Sequence, residues 1–204
     1  MRVCRAGREQ RVRGVPGESS GIVFLIRSAG KTALVDSGWG LAFWMAGKAR
    51  EAMLEIGVSP ADVDMVLMTH LHFDHTMGLL EEDDSPAFPK ARVYVSRAEM
   101  GFLSAPGALE QEKTRVGAEL LLRIRSAYGE RLRIFDFGAE LLPGVTAMDA
   151  SGHTAGHTAY LVESEGEKLL VAGDFIHAAA LQFRHPDECP AYDVYPEQAV
   201  HTRR

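Results

Sequence analysis

Residues 69–75 read Thr69-His70-Leu71-His72-Phe73-Asp74-His75, placing three imidazoles and one carboxylate within six positions. In an extended segment alternate side chains share a side, so His70 and His72 address one point together. Asp74 and His75 follow where the chain turns and address a neighbouring point. Imidazole and carboxylate suit borderline first-row cations such as Zn²⁺. A catalytic ion typically takes about three protein ligands and a water. The run exceeds that need and points to two ions. Burying these groups together without a cation would be costly.

Two more stretches carry the same chemistry. Ser151-Gly152-His153-Thr154-Ala155-Gly156-His157-Thr158 follows a strand-like run at Val145–Met148. Val171-Ala172-Gly173-Asp174 puts a carboxylate at the end of the run Lys168–Ala172. The first cluster likewise closes the apolar run Val63–Met68. Ligand-type residues thus collect at three strand ends, where α/β folds build their sites.

The remaining pattern is mixed. Ile22–Arg27 and Thr32–Asp36 read as a hairpin turning at Ser28–Lys31, and Val93–Val95 and Leu132–Phe135 as further strands. Thr158–Glu163 pairs with Lys168–Ala172 across Ser164-Glu165-Gly166-Glu167. Helical spacing covers 43–57 (Gly57 as C-cap), Thr76–Glu82, 109–128 and Tyr195–Arg204; Ser59-Pro60 opens a short turn of helix, and Ser96 caps a helix reaching Leu103. Strands arriving partly as hairpins among helices predict an α/β (α+β) class, with mixed sheets covered by helices.

Of the 204 residues, 46% are hydrophobic and 25% charged, which excludes a disordered or coiled-coil chain. No apolar run approaches the roughly 20 residues of a membrane span. Net charge is −6, although residues 1–13 hold five arginines against one glutamate. The expectation is a flexible basic segment over 1–20 and an acidic body, which argues against nucleic acid as a partner. With two cysteines and no apolar leader the expected location is the cytoplasm. Gly17-Glu18-Ser19-Ser20-Gly21 spells a nucleophile elbow but precedes a strand instead of following one, so it reads as a loop. Phe43, Trp44, Phe73 and Phe183 are candidates for an apolar pocket, with core packing as the alternative.

Val35-Asp36-Ser37-Gly38, the run Thr69–His75 with Gly78-Leu79 behind it, Gly152–Thr158 and Gly173-Asp174 together resemble the metallo-β-lactamase-fold hydrolases, over roughly residues 22–200. Gly173-Asp174-Phe175-Ile176-His177 and Gln182-Phe183-Arg184-His185-Pro186 resemble, within that group, the methyl parathion hydrolase and N-acyl homoserine lactone lactonase branch. The resemblance implies an αββα sandwich over 21–204 with two Zn²⁺ ions, or other divalent first-row metals, between the sheets. His70, His72 and His153 would hold one ion, Asp74 and His75 the other, and Asp174 would bridge them. His157 would be structural. Asp36 would either orient a ligand histidine or cap its strand. The family motif does not make His177 and His185 ligands; they would line the pocket or take a packed or surface role.

The family also has a seventh ligand, a histidine roughly 40–50 residues beyond the bridging aspartate. His201 lies too near to match it, so the expectation is a C-terminal truncation and a weakened second position. Two cations sharing a water would lower its pKa toward about 7 and give a bridging hydroxide; Asp74 would receive a proton from it. The expected function is hydrolysis of a small-molecule lactone, ester or organophosphate-like substrate. The alternatives are a glyoxalase II-like thioester hydrolase and a metal-binding remnant. A homodimer is the candidate assembly.

Overall fold

The computed structural model describes residues 22–40 and 48–204. The basic segment 1–20, the Gly17–Gly21 string, Phe43, Trp44 and the start of the helix expected over 43–57 lie outside the described residues.

A first sheet runs in the order β1 (Phe24–Ser28), β2 (Lys31–Val35), β3 (Met65–Leu67), β4 (Arg92–Ser96) and β5 (Leu132–Phe135). β1 and β2 pair antiparallel, and each later pair is parallel. A second, wholly antiparallel sheet holds β6 (Glu140–Leu142), β7 (Val145–Asp149), β8 (Thr158–Ser164) and β9 (Glu167–Val171). The helices are α1 (Ala49–Glu55), α2 (Phe73–Thr76), α3 (Arg97–Leu103), α4 (Arg115–Tyr128), α5 (Ala179–Gln182) and α6 (Pro196–Arg203).

Alternation along the first sheet sorts its side chains into two cores. Leu34, Val66, Val93 and Val95 pack with Met53 of α1, Leu103 of α3, and Leu121, Ile124 and Tyr128 of α4. The intervening Ala33, Val35, Met65 and Leu67 face Val145, Ala147, Tyr160 and Val171 of the second sheet. A largely parallel sheet needs cover on both faces, and this one has it. Each buried Leu or Val contributes about 1.5–3 kcal/mol. The two sheets are also joined by a hydrogen bond, Tyr160 Oη donating to Met68 O at 2.6 Å. The second sheet is less enclosed: on its edge strand β9, Leu169 and Leu170 are 52% and 47% exposed.

Some boundaries differ from expectation. The helix read over 109–128 begins at Arg115, because a run of turns that includes Gly107, at φ 82°, precedes it. The helix read over Thr76–Glu82 is instead α2 followed by a 3₁₀ turn at Met77–Leu79. No helix among the described residues is long and apolar enough to cross a membrane.

Candidate metal centre

The centre forms where β2, β3, β7 and β9 end. β2 and β3 are parallel, so Asp36 and Thr69 emerge side by side. Asp36 takes a left-handed turn at φ 61°, a conformation that Asp tolerates better than most residues. Its backbone N–H donates to Leu67 O at 3.0 Å. Its Oδ1 accepts from Thr69 N at 2.8 Å, and its Oδ2 from Thr69 Oγ1 at 2.8 Å. The same Oδ2 lies 2.8 Å from His75 Nδ1. Asp36 is therefore more than a strand cap: it orients His75, leaving Nε2 to face Asp174 Oδ1 at 3.3 Å and Asp74 Oδ2 at 3.6 Å.

His72 is extended, at φ −72° and ψ 153°, and α2 starts at the next residue. His70 and His72 thus precede the helix while Asp74 and His75 lie on its only turn. His153, from the loop after β7, brings its Nε2 to 2.9 Å from His72 Nδ1. The ring centroids of His70, His72 and His153 form a triangle with sides of 4.6, 4.7 and 4.8 Å. Donor atoms of this trio lie within 4.8 Å of one another, as do those of His70, His75 and Asp174. His70 Nε2 is buried with no hydrogen-bond partner. A lone-pair donor left unsatisfied inside a cluster of nitrogen and carboxylate ligands fits a bound cation, which would use that lone pair.

The other histidines divide. His157 is fully buried, and its Nε2 accepts from the backbone N–H of Asp174 at 2.8 Å, so it holds the loop of the carboxylate. His177 Nε2 stands 3.2 Å from Asp174 Oδ2, and its ring lies 4.8 Å from that of His153. Tyr192 stands edge-on to both rings, at 4.9 and 5.8 Å. His185 and His201 are exposed. Phe73 and Phe183 are 42% and 73% exposed, so core packing is not their role.

Charge is distributed unevenly across the cluster. Burial, reinforced by neighbouring imidazoles, drives His70 far below the usual histidine range and His72 down to about 3. Burial also opposes charge on His75, but the carboxylates of Asp36 and Asp174 overcome it and hold this imidazolium up to about 11. Burial works against the Asp174 carboxylate, yet the adjacent imidazoles of His177 and His75 keep it well below the carboxylate range. Without a cation, neutral imidazoles at His70 and His72 therefore sit beside an imidazolium–carboxylate pair.

Two supports escape a reading of the sequence. Glu99 on α3 is 1% exposed, and its oxygens accept from Leu71 N and Gly156 N, each at 3.0 Å. One carboxylate thus ties the His70–His75 loop to the His153–His157 loop. Ser96 completes the tie: its Oγ caps α3 by accepting from Glu99 N at 3.1 Å and donates to Gly156 O at 2.7 Å. A side chain at Gly156 would collide with the backbone of Glu99. The spacing Ser96-x-x-Glu99 is a capping-box pattern, the one signal available in advance. The second support is Asp193, whose Oδ1 lies 2.9 Å from His153 Nδ1 and whose Oδ2 accepts from Arg203 Nη2 at 2.7 Å.

Two stacked sheets, helices on the outer face of one, and a histidine–aspartate cluster at their common end define an α/β sandwich with a candidate metal centre. The chain belongs to the metallo-beta-lactamase superfamily, whose family model matches residues 16–199. It is 29% identical over 192 residues to a probable metallo-hydrolase of Mycobacterium tuberculosis, covering 80% of this chain and 60% of that protein. It is also 29% identical over 147 residues to an N-acyl homoserine lactonase of Bacillus thuringiensis, covering 71% and 50% of the two chains. Among solved structures, the hydrolase AbOPH in the beta lactamase superfamily superposes with a TM-score of 0.78 at 32% identity, covering 89% of this chain and 65% of that one. AidC, a dizinc quorum-quenching lactonase, gives a TM-score of 0.78 at 27% identity, with the same coverage. The chain thus spans only 50–60% of the length of these two curated relatives.

Proposed function

We propose that this chain is a metal-dependent hydrolase that uses two divalent first-row cations, zinc foremost, to cleave a small-molecule lactone, ester or organophosphate-like triester. The unpartnered Nε2 of buried His70, set within donor distance of His72, His153, His75 and Asp174, carries the reading. His70, His72 and His153 would hold the first cation, and His75 with Asp74 the second. Asp174 would span them, since its Oδ1 faces His75 and its Oδ2 lies 3.8 Å from His153 Nε2. When bound, such a pair supplies Lewis acidity and a water acidic enough to act as a nucleophile near neutral pH.

The chain's own residues do the rest. Asp36 and Asp193 hold His75 and His153 by their far nitrogens, and His157 holds the backbone of Asp174. Asp74, about one-third exposed beside His75, is placed to take a proton at its carboxylate. Trp39 and Phe73 meet edge-on at 4.7 Å and give this end an aromatic wall suited to an apolar substituent. The dizinc quorum-quenching lactonase among the similar structures supports a lactone substrate, and the hydrolase AbOPH supports hydrolysis as the reaction.

The test is metal analysis of the purified chain together with hydrolysis of a chromogenic lactone, an aryl ester and a phosphotriester. About two ions per chain and turnover of at least one substrate are expected, with turnover abolished in His72→Ala. Fewer than one ion per chain overturns the two-cation reading. Two ions without turnover would mark a metal-binding remnant.

A further inference from the structure

We infer that Asp193 and Arg203 form a buried relay by which the last helix sets which nitrogen of His153 carries the proton, and so keeps Nε2 free for a cation. The inference rests on the reading of His153 as a ligand. Both side chains of the ion pair are sealed, at 0% and 1% exposure. Arg203, near the end of α6, does not merely neutralise Asp193. Its Nε donates to Phe175 O at 2.6 Å, and its Nη1 reaches Glu188 O and Cys189 Sγ, both at 3.3 Å. The guanidinium thus stitches the segment after Asp174 to the loop that carries Asp193. The surrounding backbone follows the same plan: Val194 N and Tyr195 N donate to His153 O and Gly152 O, each at 2.9 Å.

The direction of control follows from donor and acceptor capacity. Arg carries only donors, so it claims an oxygen of residue 193. A carboxylate has a second oxygen, which accepts from His153 Nδ1–H; the proton then sits on Nδ1 and the Nε2 lone pair faces the cluster. An amide at 193 has one oxygen, and Arg203 takes it. The amide NH₂ then points at His153 Nδ1, which can only accept. The proton moves to Nε2, the atom that must be bare to bind metal. Burial shuts out the water that would relieve this frustration. Hydrogen bonds behind a metal-binding histidine fix its tautomer in this way, and their loss typically costs about 10–100-fold in affinity.

The experiment is nitrogen-15 NMR of the histidine rings in the full metal-free chain near pH 8, with Co²⁺ titration of the same samples. Wild-type His153 is expected to carry its proton on Nδ1. Asp193→Asn is expected to carry it on Nε2 and to bind Co²⁺ about 10–100-fold more weakly. Adding Arg203→Met to Asp193→Asn frees the amide to turn, so the Nδ1 tautomer and part of the Co²⁺ affinity should return. That rescue would not follow from a merely structural role, under which a second lost contact can only do further harm. A wild-type proton on Nε2 overturns the relay, even if the variants do not fold. So does an Asp193→Asn chain that keeps both its tautomer and its Co²⁺ affinity within twofold. Should the wild type bind no Co²⁺, the ligand reading fails, while the ring spectra still decide the tautomer.

Discussion

Replacing Glu99 by Gln removes one charge, almost without change of shape, from the point where the two donor loops meet. The carboxylate satisfies two backbone donors, Leu71 N and Gly156 N, each at 3.0 Å and buried. A glutamine oxygen can serve one of them, and its NH₂ is then driven against the other. An orphaned buried N–H costs about 1–3 kcal/mol, and the surviving bond weakens by about 1 kcal/mol on losing its charged acceptor. Relief of the buried charge offsets part of this, leaving a net loss of about 2 kcal/mol at neutral pH. The pH dependence has a definite sign. Burial raises the Glu99 carboxyl above its ordinary 4.5, despite the N–H groups that favour the anion. The fold therefore binds this proton more tightly than the unfolded chain does. Its stabilising effect is complete below pH 4.5 and fades as pH rises through the folded value. The glutamine variant has no proton to gain or lose here, so the gap between wild type and variant should widen as pH falls from 7. Urea unfolding of both chains in chelator, at several pH values, reads both quantities. A loss below about 0.5 kcal/mol, or a gap that widens toward alkaline pH, would refute the tie.

Asp36→Asn keeps a residue that tolerates the left-handed turn but removes the charge beside His75 and one of the acceptors shared with Thr69. Cation affinity should fall about 10–100-fold, measured by competition with a chromophoric chelator; unchanged affinity would remove Asp36 from the site. Metal uptake should itself depend on pH, because His75 is held up to about 11 and must shed its proton to bind. Affinity of the cation that engages His75 should rise about tenfold per pH unit between about 6.5 and 8.5, with release of about one proton. His70 and His72, already held neutral, add nothing to that slope. Calorimetry in buffers of different ionisation heats counts the proton, and a flat profile would count against the assignment.

What the sequence discloses and what it hides follow from the range of the forces involved. The strand Leu132–Phe135, the cap at Ser96 and the β8–β9 hairpin are local effects of turn chemistry and alternation, and the structure has them where expected. β6 leaves no such mark, because it is three residues long and its pairing is irregular. The gathering of His70, His72, His75, His153 and Asp174 is legible because imidazole and carboxylate side chains are chemically distinctive and here fall at strand ends. Glu99 and Asp193 are not. An acid among surface-like neighbours looks the same whether it faces solvent or two buried amides, and only the tertiary approach of remote loops decides. His153 finds its partner 40 residues away, at Asp193.

The two halves of the sandwich are unequally protected, and the donors are divided between them. The His70–His75 run hangs from the first sheet, which is covered on both faces, whereas His153 and Asp174 hang from the second, whose edge leaves Leu169 and Leu170 in water. Any ion shared by these groups therefore acts as a clasp between a stiff half and a soft one. When the clasp is undone the softer half is the first to breathe, so metal loading would govern how firmly the whole sandwich stays shut.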